Sequence, residues 1–251
     1  MEIRHLNFSY GKKTILNDLS LSFEKGKITT LLGANGSGKT TLFKLCTRNL
    51  RPKRGLIMLD EENIFHLKRR EFAQKVAIVH QQNRVTGTIT VRELVSYGRT
   101  PHIKMMQQAT KEDDEAIDWS LEVTNLKEIA NEQVVSLSGG QRQRVWIAMA
   151  LAQKSEMIFL DEPTTYLDVR YQVELLNLIR SLNEDFGLSI VMVLHDINQA
   201  LQYSDHLIGL KNGELLFSGR PEEVITKENI SSLYQIPLRT TIFEGKPYVV
   251  I

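Results

Sequence analysis

Short, mostly apolar runs alternate along the chain with longer stretches of helical periodicity. The runs Ile28 to Leu32, Val76 to Val79, Met157 to Leu160 and Ser189 to Leu194 lack the strict alternation of a half-exposed strand, which is typical of strands buried between helices. The stretches between them repeat apolar residues about every three or four positions, as the buried face of a helix does. The pattern therefore predicts an α/β frame.

Antiparallel strands accompany this frame. Ile3 to Tyr10 alternates and predicts a strand, with Leu19 to Phe23 as its partner after a turn. His206 to Leu210 and Leu215 to Phe217 flank an Asn-Gly pair, which supplies the positive φ angles of a type I′ turn. Ile242 to Ile251 is expected to form a last small hairpin, whose role the sequence leaves open.

The pattern becomes helical from Thr90 to about Ala152, which predicts a helical insertion into the frame. Val91 to Tyr97 is its first helix, Thr110 opens the second, and Arg142 to Gln153 is the third. Four acidic residues occupy the first turn of the second helix, where they suit the helix dipole and are expected to form a solvated face: Glu112, Asp113, Asp114 and Glu115.

Composition limits the partners. The 251 residues are 42% hydrophobic and 24% charged with a formal net charge of +1, an ordinary globular balance that suits one large domain or two small ones. Lys and Arg are spread along the chain rather than gathered into the basic stripe that duplex binding requires, so no nucleic-acid partner is expected. The lone Cys46 excludes an internal disulfide and is expected to be a small core residue.

No membrane span is predicted. The longest apolar run, Val145 to Ala152, is far shorter than the roughly 18 to 20 residues that a span needs. A role at a membrane would therefore require another subunit to cross it.

A glycine-rich stretch after the first buried run carries the strongest chemical signal. It fits the pattern G-x-x-x-x-G-K-[ST], in which glycines let successive backbone N–H groups point inward and the following helix adds its unpaired donors. Lys39 would then reach the β- and γ-phosphates of a nucleotide, and the Thr40 hydroxyl would hold Mg²⁺. The alternative is a glycine-rich turn before an ordinary helix. The positions concerned are Gly33, Ala34, Asn35, Gly36, Ser37, Gly38, Lys39, Thr40 and Thr41.

Polar side chains follow two of the buried runs. Asp161 and Glu162 follow one and His195 follows another, so they are expected at the carboxyl edge of the sheet, where α/β proteins bind ligands. Asp161 is placed to bind Mg²⁺ through water, Glu162 to activate an attacking water, and His195 to donate to a phosphate oxygen. The alternatives are a solvated pair of loop acids and a structural histidine.

Two further features have both a structural and a functional interpretation. Ser138 and Gln141 have the spacing of a capping box, yet Gly139 and Gly140 between them also expose helix N–H groups that can meet phosphate. Tyr10 can stack on a purine ring or simply pack beside its turn.

Together these residues resemble the nucleotide-binding subunit of ABC transporters. The resemblance runs from about Ile3 to Gly219 and rests on features in the family's order: Tyr10, Gly33 to Thr40, Gln81, Leu137 to Gln141, Asp161-Glu162 with Leu167-Asp168, and His195. It implies an α/β P-loop NTPase core sheet with an antiparallel β edge subdomain and an inserted α-helical subdomain. Residues 1–85 and 154–251 would form the edge and core, and residues 86–153 the helical subdomain, of a single domain spanning residues 1–251.

The resemblance also implies a head-to-tail homodimer that binds ATP and Mg²⁺ and hydrolyses the ATP. Lys39 would bind the phosphates, Glu162 would activate water and His195 would contact the γ-phosphate. The residues implied to hold the metal are Thr40, Gln81 and Asp161. The residues of one subunit implied to close over the ATP of the other are Ser138, Gly139, Gly140, Gln141 and, near the dimer contact, Asp168.

A narrower resemblance lies in Val91 to His102. This segment is similar to the subclass that powers uptake of ferric siderophores, haem or cobalamin, which implies permease subunits, a substrate-binding protein and a peripheral place on the cytoplasmic face of the membrane. Two rivals stay open: a soluble ABC ATPase acting on ribosomes or DNA, and a module that binds nucleotide without hydrolysing it. The near-neutral charge and single cassette speak against the first, and Glu162 speaks against the second.

Some positions depart from the family's pattern. His80 stands where proline is frequent and Gln82 duplicates Gln81, so both glutamines are candidates for the metal, with Gln81 favoured. Tyr166 is bulkier than the usual small residue before Leu-Asp, which leaves the dimer contact around Asp168 open.

Overall fold

The computed structural model describes residues 1–83, 85, 87–103, 108–243 and 245–250. Its strands are β1 (Glu2–Tyr10), β2 (Lys13–Ser22), β3 (Ile28–Leu32), β4 (Arg54–Leu59), β5 (Glu62–Asn63), β6 (Val76–Val79), β7 (Met157–Asp161), β8 (Ser189–Val193), β9 (His206–Lys211), β10 (Glu214–Gly219), β11 (Arg239–Phe243) and β12 (Lys246–Val250). Its helices are α1 (Lys39–Cys46), α2 (Arg69–Lys75), α3 (Val91–Ser96), α4 (Lys111–Val123), α5 (Gly139–Ala152), α6 (Val169–Phe186), α7 (Ile197–Tyr203), α8 (Pro221–Val224) and α9 (Lys227–Tyr234). Short 3₁₀ turns cover Tyr97–Arg99, Lys127–Ile129 and Val134–Ser136. Within the described ranges, no helix combines the length and apolar character that crossing a membrane demands.

The chain divides into two compact units. The first contains Met1–Leu67 and Asn183–Ile251, and the second contains Lys68–Leu182. Both units combine helices with parallel strand pairs, as the predicted α/β frame requires. The boundaries of the helical subdomain stay a prediction, and its expected first residue, at position 86, lies outside the described residues, as does Ile251.

The first unit carries an antiparallel sheet in the order β2-β1-β4-β5. β2 begins at Lys13 rather than at Leu19. The alternation predicted for β1 is interrupted, because His5 has a φ of 50° and the pairing register shifts between Ile3 and Leu6. This irregularity buries both Ile3 and Leu6, which strict alternation would place on opposite faces.

Further strands of the first unit lie in the order β10-β9-β3-β8. β3 pairs in parallel with both β8 and β9, and every residue of β3 is buried. The loop after β3 therefore starts from a fixed point in the core. The turn between β9 and β10 has φ angles of 51° at Asn212 and 83° at Gly213, which confirms the predicted type I′ geometry.

In the second unit, β6 and β7 pair in parallel and the helices α3, α4 and α5 share one apolar core. The predicted helices of this segment are confirmed. α5 begins at Gly139 rather than Arg142, because the Ser138 side chain caps the helix three residues earlier than periodicity suggests. The core consists of Val91, Leu94, Val95, Ile117, Leu121, Leu126, Val134, Leu137, Val145, Ala148 and Ala152.

One acid at the start of α4 does not lie on a solvated face. Asp113 is only 4% exposed, and Arg99 Nε donates to its Oδ1 at 2.8 Å. Arg99 also donates to the carbonyl of Ala152 at the end of α5, at 2.8 Å. The expectation of a solvated face is therefore wrong for Asp113, because Arg99 supplies the partner that a buried carboxylate needs.

The predicted last hairpin is formed by β11 and β12 and is fastened to α7 by one side chain. Asn198 Nδ2 donates to the Val249 carbonyl at 3.0 Å, and the Val249 N–H donates to Asn198 Oδ1 at 2.9 Å. The amide group thus pairs with β12 as a neighbouring strand would, and Val249 is fully buried.

Candidate functional site

The loop between β3 and α1 contains the glycine pattern. Gly33 and Gly38 have φ angles of 152° and 105°. A Cβ added at Gly33 would lie 2.4 Å from the Leu210 carbonyl oxygen, and one added at Gly38 would lie 2.7 Å from the Leu16 side chain. Both positions therefore require glycine, which permits the tight backbone path that a phosphate-binding loop needs.

Lys39, the first residue of α1, turns back over this loop. Its ammonium donates to the carbonyls of Gly33 at 2.6 Å and Ala34 at 3.1 Å, and the residue is only 6% exposed. A buried cation beside the N-terminus of α1 makes the loop a favourable place for an anion. Cys46, at the far end of α1, is a fully buried core residue as predicted, and burial raises the pKa of its thiol.

The surroundings of the Ser37 hydroxyl indicate whether a phosphate fits the loop. Its hydroxyl is buried and finds no hydrogen-bond partner among the described residues. Leaving a buried hydroxyl unpaired is costly, and a phosphate oxygen held near Lys39 would accept its hydrogen bond. The loop therefore has the donors that a phosphate needs, and the exposed Thr40 beside Lys39 adds a hydroxyl that Mg²⁺ can use.

The end of β7 carries the predicted acids. Asp161 is the last residue of β7 and Glu162 follows it, and both are partly buried. Glu162 has a φ of 50°, a left-handed conformation that costs an L-residue about 1–2 kcal/mol. Its Oε2 accepts hydrogen bonds from the Gln81 amide and, at 3.2 Å, from the Thr165 hydroxyl. The structure thus brings Gln81 and Glu162 together.

This contact distinguishes the two glutamines. Gln81 is partly buried and contacts Glu162, whereas Gln82 is exposed. Because an ionised carboxylate only accepts hydrogen bonds, the amide nitrogen of Gln81 faces Glu162 and its amide oxygen is directed elsewhere. An amide oxygen is a suitable Mg²⁺ ligand, so Gln81 is the better candidate for the metal.

The start of α5 has the predicted capping box. Gln141 N–H donates to Ser138 Oγ at 3.3 Å, and Ser138 N–H donates to Gln141 Oε1 at 3.0 Å. Ser138 and Gly139 are exposed, and a Cβ added at Gly139 would meet only Leu167, at 3.9 Å. Nothing in the described fold therefore requires glycine at position 139, although its missing side chain gives a ligand close access to the helix N-terminus.

His195 and Tyr10 belong to the first unit and are exposed. His195 lies between β8 and α7, and the next residue, Asp196, caps α7 by accepting from two amides of its first turn at 2.8 and 3.0 Å. Tyr10 is 49% exposed and packs edge-on against Phe8, with the ring centroids 4.9 Å apart. Tyr10 therefore packs beside its turn, and the exposed part of its ring leaves stacking open.

The residues between β7 and α6 present a large side chain to solvent. Tyr166 is 83% exposed and has a φ of 66°. Asp168 is also exposed, and its Oδ1 accepts from the Tyr171 N–H at 3.1 Å in the first turn of α6. An exposed ring beside a helix start is a feature that a second chain can cover.

Thr165 also contacts Glu162 and was not predicted as a site residue. A signal was present, because Thr165 lies three residues after Glu162 and a turn of that length brings the two together. The Thr165 N–H donates to the Glu162 carbonyl at 3.2 Å, in addition to the side-chain bond. The second unit thus gathers Gln81, Glu162 and Thr165, while the first gathers Ser37 and Lys39 on one loop.

Comparison with known proteins places these features in a family. The family model described as ABC transporter matches residues 16–165, a range that includes the glycine loop, Gln81, the start of α5 and the acids at the end of β7. The chain belongs to the ABC transporter family. As in other ABC cassettes, its activity is ATP hydrolysis, and the predicted fold class and enzyme class are confirmed.

Relatives of this ABC cassette match it along nearly its whole length. It is 41% identical over 250 residues to the petrobactin import ATP-binding protein FpuC of Bacillus anthracis, covering 99% of this chain and 91% of the relative. It is 41% identical over 249 residues to the ferric enterobactin transport ATP-binding protein FepC of Escherichia coli, covering 98% and 91%. These names favour an import cassette over the alternative of an ABC ATPase acting on ribosomes or DNA.

Solved structures support the same assignment. A transporter assigned to the metal-chelate type, in an inward-facing conformation, matches with a TM-score of 0.86 and 28% identity, covering 99% of this chain and 95% of the other. The dimeric structure of a bacterial ABC transporter cassette matches with a TM-score of 0.74 and 28% identity, covering 87% and 97%.

Proposed function

We propose that this ABC ATPase drives uptake of a ferric siderophore, or a related metal chelate, through a membrane permease. The observation that carries the proposal is the 41% identity, over nearly the whole chain, to the ATP-binding proteins of petrobactin and ferric enterobactin transport. The resemblance of Val91 to His102 to the siderophore, haem and cobalamin subclass points the same way.

ATP is the substrate of the loop between β3 and α1. Lys39 and the loop N–H groups bind its phosphates, and the Ser37 hydroxyl donates to a phosphate oxygen. Tyr10 stacks on the purine through the exposed part of its ring.

The metal-binding residues are assigned by their donor atoms. Thr40, Gln81 and Asp161 offer a hydroxyl, an amide oxygen and a carboxylate, all of which are hard oxygen ligands suited to Mg²⁺. When bound, Mg²⁺ neutralises charge that develops on the β- and γ-phosphates.

Phosphoryl transfer requires mainly positioning and charge stabilisation from the protein. Glu162 orients the attacking water and accepts its proton, while His195 donates to a γ-phosphate oxygen. Gln81 contacts Glu162 directly and precedes α3, α4 and α5 in the chain, so a movement of those three helices would shift the Gln81 side chain against the carboxylate.

Two copies of the chain cooperate head to tail. Ser138, Gly139 and Gly140 of one copy meet the ATP held by the other, which explains a glycine at position 139 that the fold of a single copy does not need. Gln141 supports this end through the capping box, and Asp168 lies beside the exposed Tyr166 at the dimer contact.

A role in import also implies membrane and substrate-binding partners. The homodimer binds the cytoplasmic face of integral permease subunits and, through them, works with a substrate-binding protein. Nucleic acid is not a partner, because the formal net charge of +1 is spread along the chain without a basic stripe.

Nucleotide binding and hydrolysis test the site. Lys39→Ala should weaken ATP affinity by at least about tenfold, because it removes the buried cation of the loop. Lys44→Ala, an exposed lysine on the same helix, is the matched control and should bind normally. Glu162→Gln should bind ATP with near-normal affinity but lose about 10²-fold or more in kcat. Equal ATP affinity in the two lysine variants would show that the phosphates lie elsewhere.

Transport itself is tested with the permease subunits that co-purify with the chain. In proteoliposomes containing the complex and a matching binding protein, ATP should drive uptake of a ferric siderophore, and Glu162→Gln should abolish it. Salt-sensitive stimulation of the ATPase by ribosomes or DNA, with no uptake, would favour the rival function instead.

A further inference from the structure

Two donors converge on one oxygen of Glu162. The Thr165 hydroxyl donates to Oε2 at 3.2 Å, and the Gln81 amide donates to the same atom. All three residues are partly buried, which limits competition from water. Bonds from two separate parts of the chain to a single oxygen restrict rotation of the carboxylate about its last bond.

The two donors differ in how they are placed. Thr165 belongs to the same turn as Glu162, and its N–H also donates to the Glu162 carbonyl at 3.2 Å. Its hydroxyl therefore stays near the carboxylate for as long as the turn is intact. Gln81 instead lies just after β6 and is separated from Glu162 by 81 positions along the chain.

The left-handed backbone conformation of Glu162 increases the need for Thr165, the donor in the same turn. Its φ of 50° is a sparsely populated conformation, which persists only where the surroundings hold it. Pro163 follows and has no N–H to contribute. Thr165 is thus the residue of this turn that bonds both the main chain and the side chain of Glu162.

We propose that Thr165 is a positioning residue for Glu162, whose hydroxyl holds Oε2 so that the carboxylate faces the attacking water. The inference rests on the proposed function, in which Glu162 accepts the proton of that water. Thr165 acts through Glu162 and does not itself contact ATP.

Substitutions that differ only in the hydroxyl test this role. Thr165→Val should lower kcat about tenfold and leave KM for ATP within about twofold, because Lys39 and the glycine loop still bind the phosphates. Thr165→Ser keeps the hydroxyl and should recover at least about half of kcat. Thr165→Ala compared with Thr165→Ser repeats the test without a branched side chain, should the valine variant fold poorly. Thr241→Val, which removes an exposed hydroxyl from β11, is the matched control and should behave as wild type.

A double variant shows whether Thr165 acts through Glu162. Glu162→Gln/Thr165→Val should hydrolyse ATP no more slowly than Glu162→Gln alone, because the group that Thr165 positions is already missing. Binding of a fluorescent ATP analogue to Thr165→Val should match wild type. A serine variant as slow as the valine variant, or a further tenfold loss in the double variant on the scale of general-base effects, would overturn the proposal.

Different results would refute the proposed function and the positioning role of Thr165. A Glu162→Gln variant that hydrolyses ATP as fast as wild type would refute the role of Glu162, whatever the Thr165 variants show. A normal loss in Glu162→Gln together with an unchanged kcat in Thr165→Val would refute the positioning role alone.

Discussion

The Arg99 side chain ties three elements of the second unit together. It follows α3, pairs with Asp113 in the first turn of α4, and donates to the last carbonyl of α5. Burial alone would raise the pKa of Asp113, but hydrogen bonds from the Thr110 amide, from Arg99 and from the Thr110 hydroxyl outweigh it and lower the pKa from 3.8 to about 2. Because the folded pKa lies below the unfolded one, this pair stabilises the fold above about pH 4, and the stabilisation is lost as the pH falls toward 2.

Arg99→Met should therefore destabilise the protein strongly at pH 7. Removing the arginine leaves the Asp113 carboxylate buried without its cation, which costs about 3–5 kcal/mol. Arg92→Met is the matched control, because Arg92 pairs with Asp118 at an exposed site and should cost about 1 kcal/mol or less. Urea unfolding measures both values, and the gap between Arg99→Met and wild type should narrow below about pH 4. Equal losses in the free energy of unfolding in the two variants would show that the buried pair of Arg99 and Asp113 does not stabilise the fold more than the exposed pair.

At the residue scale, local sequence predicts chemistry that a short pattern carries. Lys39 and Glu162 were predicted because each follows a buried strand within a recognisable motif. The burial of Asp113 was not predicted, because an acid in the first turn of a helix is usually solvated and its partner Arg99 belongs to another element. Thr165 was missed because only its three-residue spacing from Glu162 indicated the contact, and side-chain periodicity does not report the left-handed backbone of that turn.

At the scale of elements, periodicity predicted the strands and helices but not where hydrogen bonds move their ends. β3 and β6 have the predicted limits, since both are continuous buried runs. α5 begins earlier than predicted because the Ser138 cap lies outside the apolar repeat, and the alternation of β1 fails at His5 because the backbone there turns left-handed. Capping and irregular pairing depend on the main chain, so hydrophobic spacing alone does not reveal them.

Gly98 packs against α5 and Gly139 begins it, and the two glycines differ in whether the fold requires them. A Cβ added at Gly98 would lie 2.1 Å from the Met149 carbonyl oxygen, whereas one added at Gly139 would meet only Leu167, at 3.9 Å. Gly139→Ala should therefore keep its stability within about 0.5 kcal/mol of wild type, as other unstrained substitutions do. Its kcat should fall about 10- to 100-fold, because the new methyl group obstructs the N–H donors proposed to meet phosphate.

Thermal melting and ATPase assays of the same preparations check this separation. Gly98→Ala is the contrasting control and should melt at a clearly lower temperature, because a backbone carbonyl cannot give way as a side chain can. A Gly139→Ala variant with both normal stability and normal kcat would show that the start of α5 does not approach the nucleotide.

At the scale of the whole molecule, one copy carries two places suited to phosphate. The loop before α1 has Lys39 and the Ser37 hydroxyl, which finds no partner in the part of the chain that the structure describes, and the start of α5 has the exposed Gly139. Within one copy the second place would duplicate the first, whereas between two copies each ATP would be held by one loop and one α5. Sequence periodicity could not have supplied this step, because it describes each chain alone. The family and the dimeric structure of a related cassette make the two-copy arrangement the natural one to test.

Mixing two impaired variants distinguishes these arrangements. Lys39→Ala damages the loop and Gly139→Ala damages the start of α5, so a dimer of one copy of each has one site with both defects and one site with neither. Because about half of the dimers in an equal mixture are mixed, activity at an ATP concentration too low to saturate Lys39→Ala should recover to up to about a quarter of the wild-type rate, from about a tenth or less in either variant alone. The rate per subunit of the wild type should also rise with protein concentration until dimerisation is complete. If the mixture stays as inactive as its components while both variants remain folded, each chain must complete its own site, and the shared arrangement is wrong.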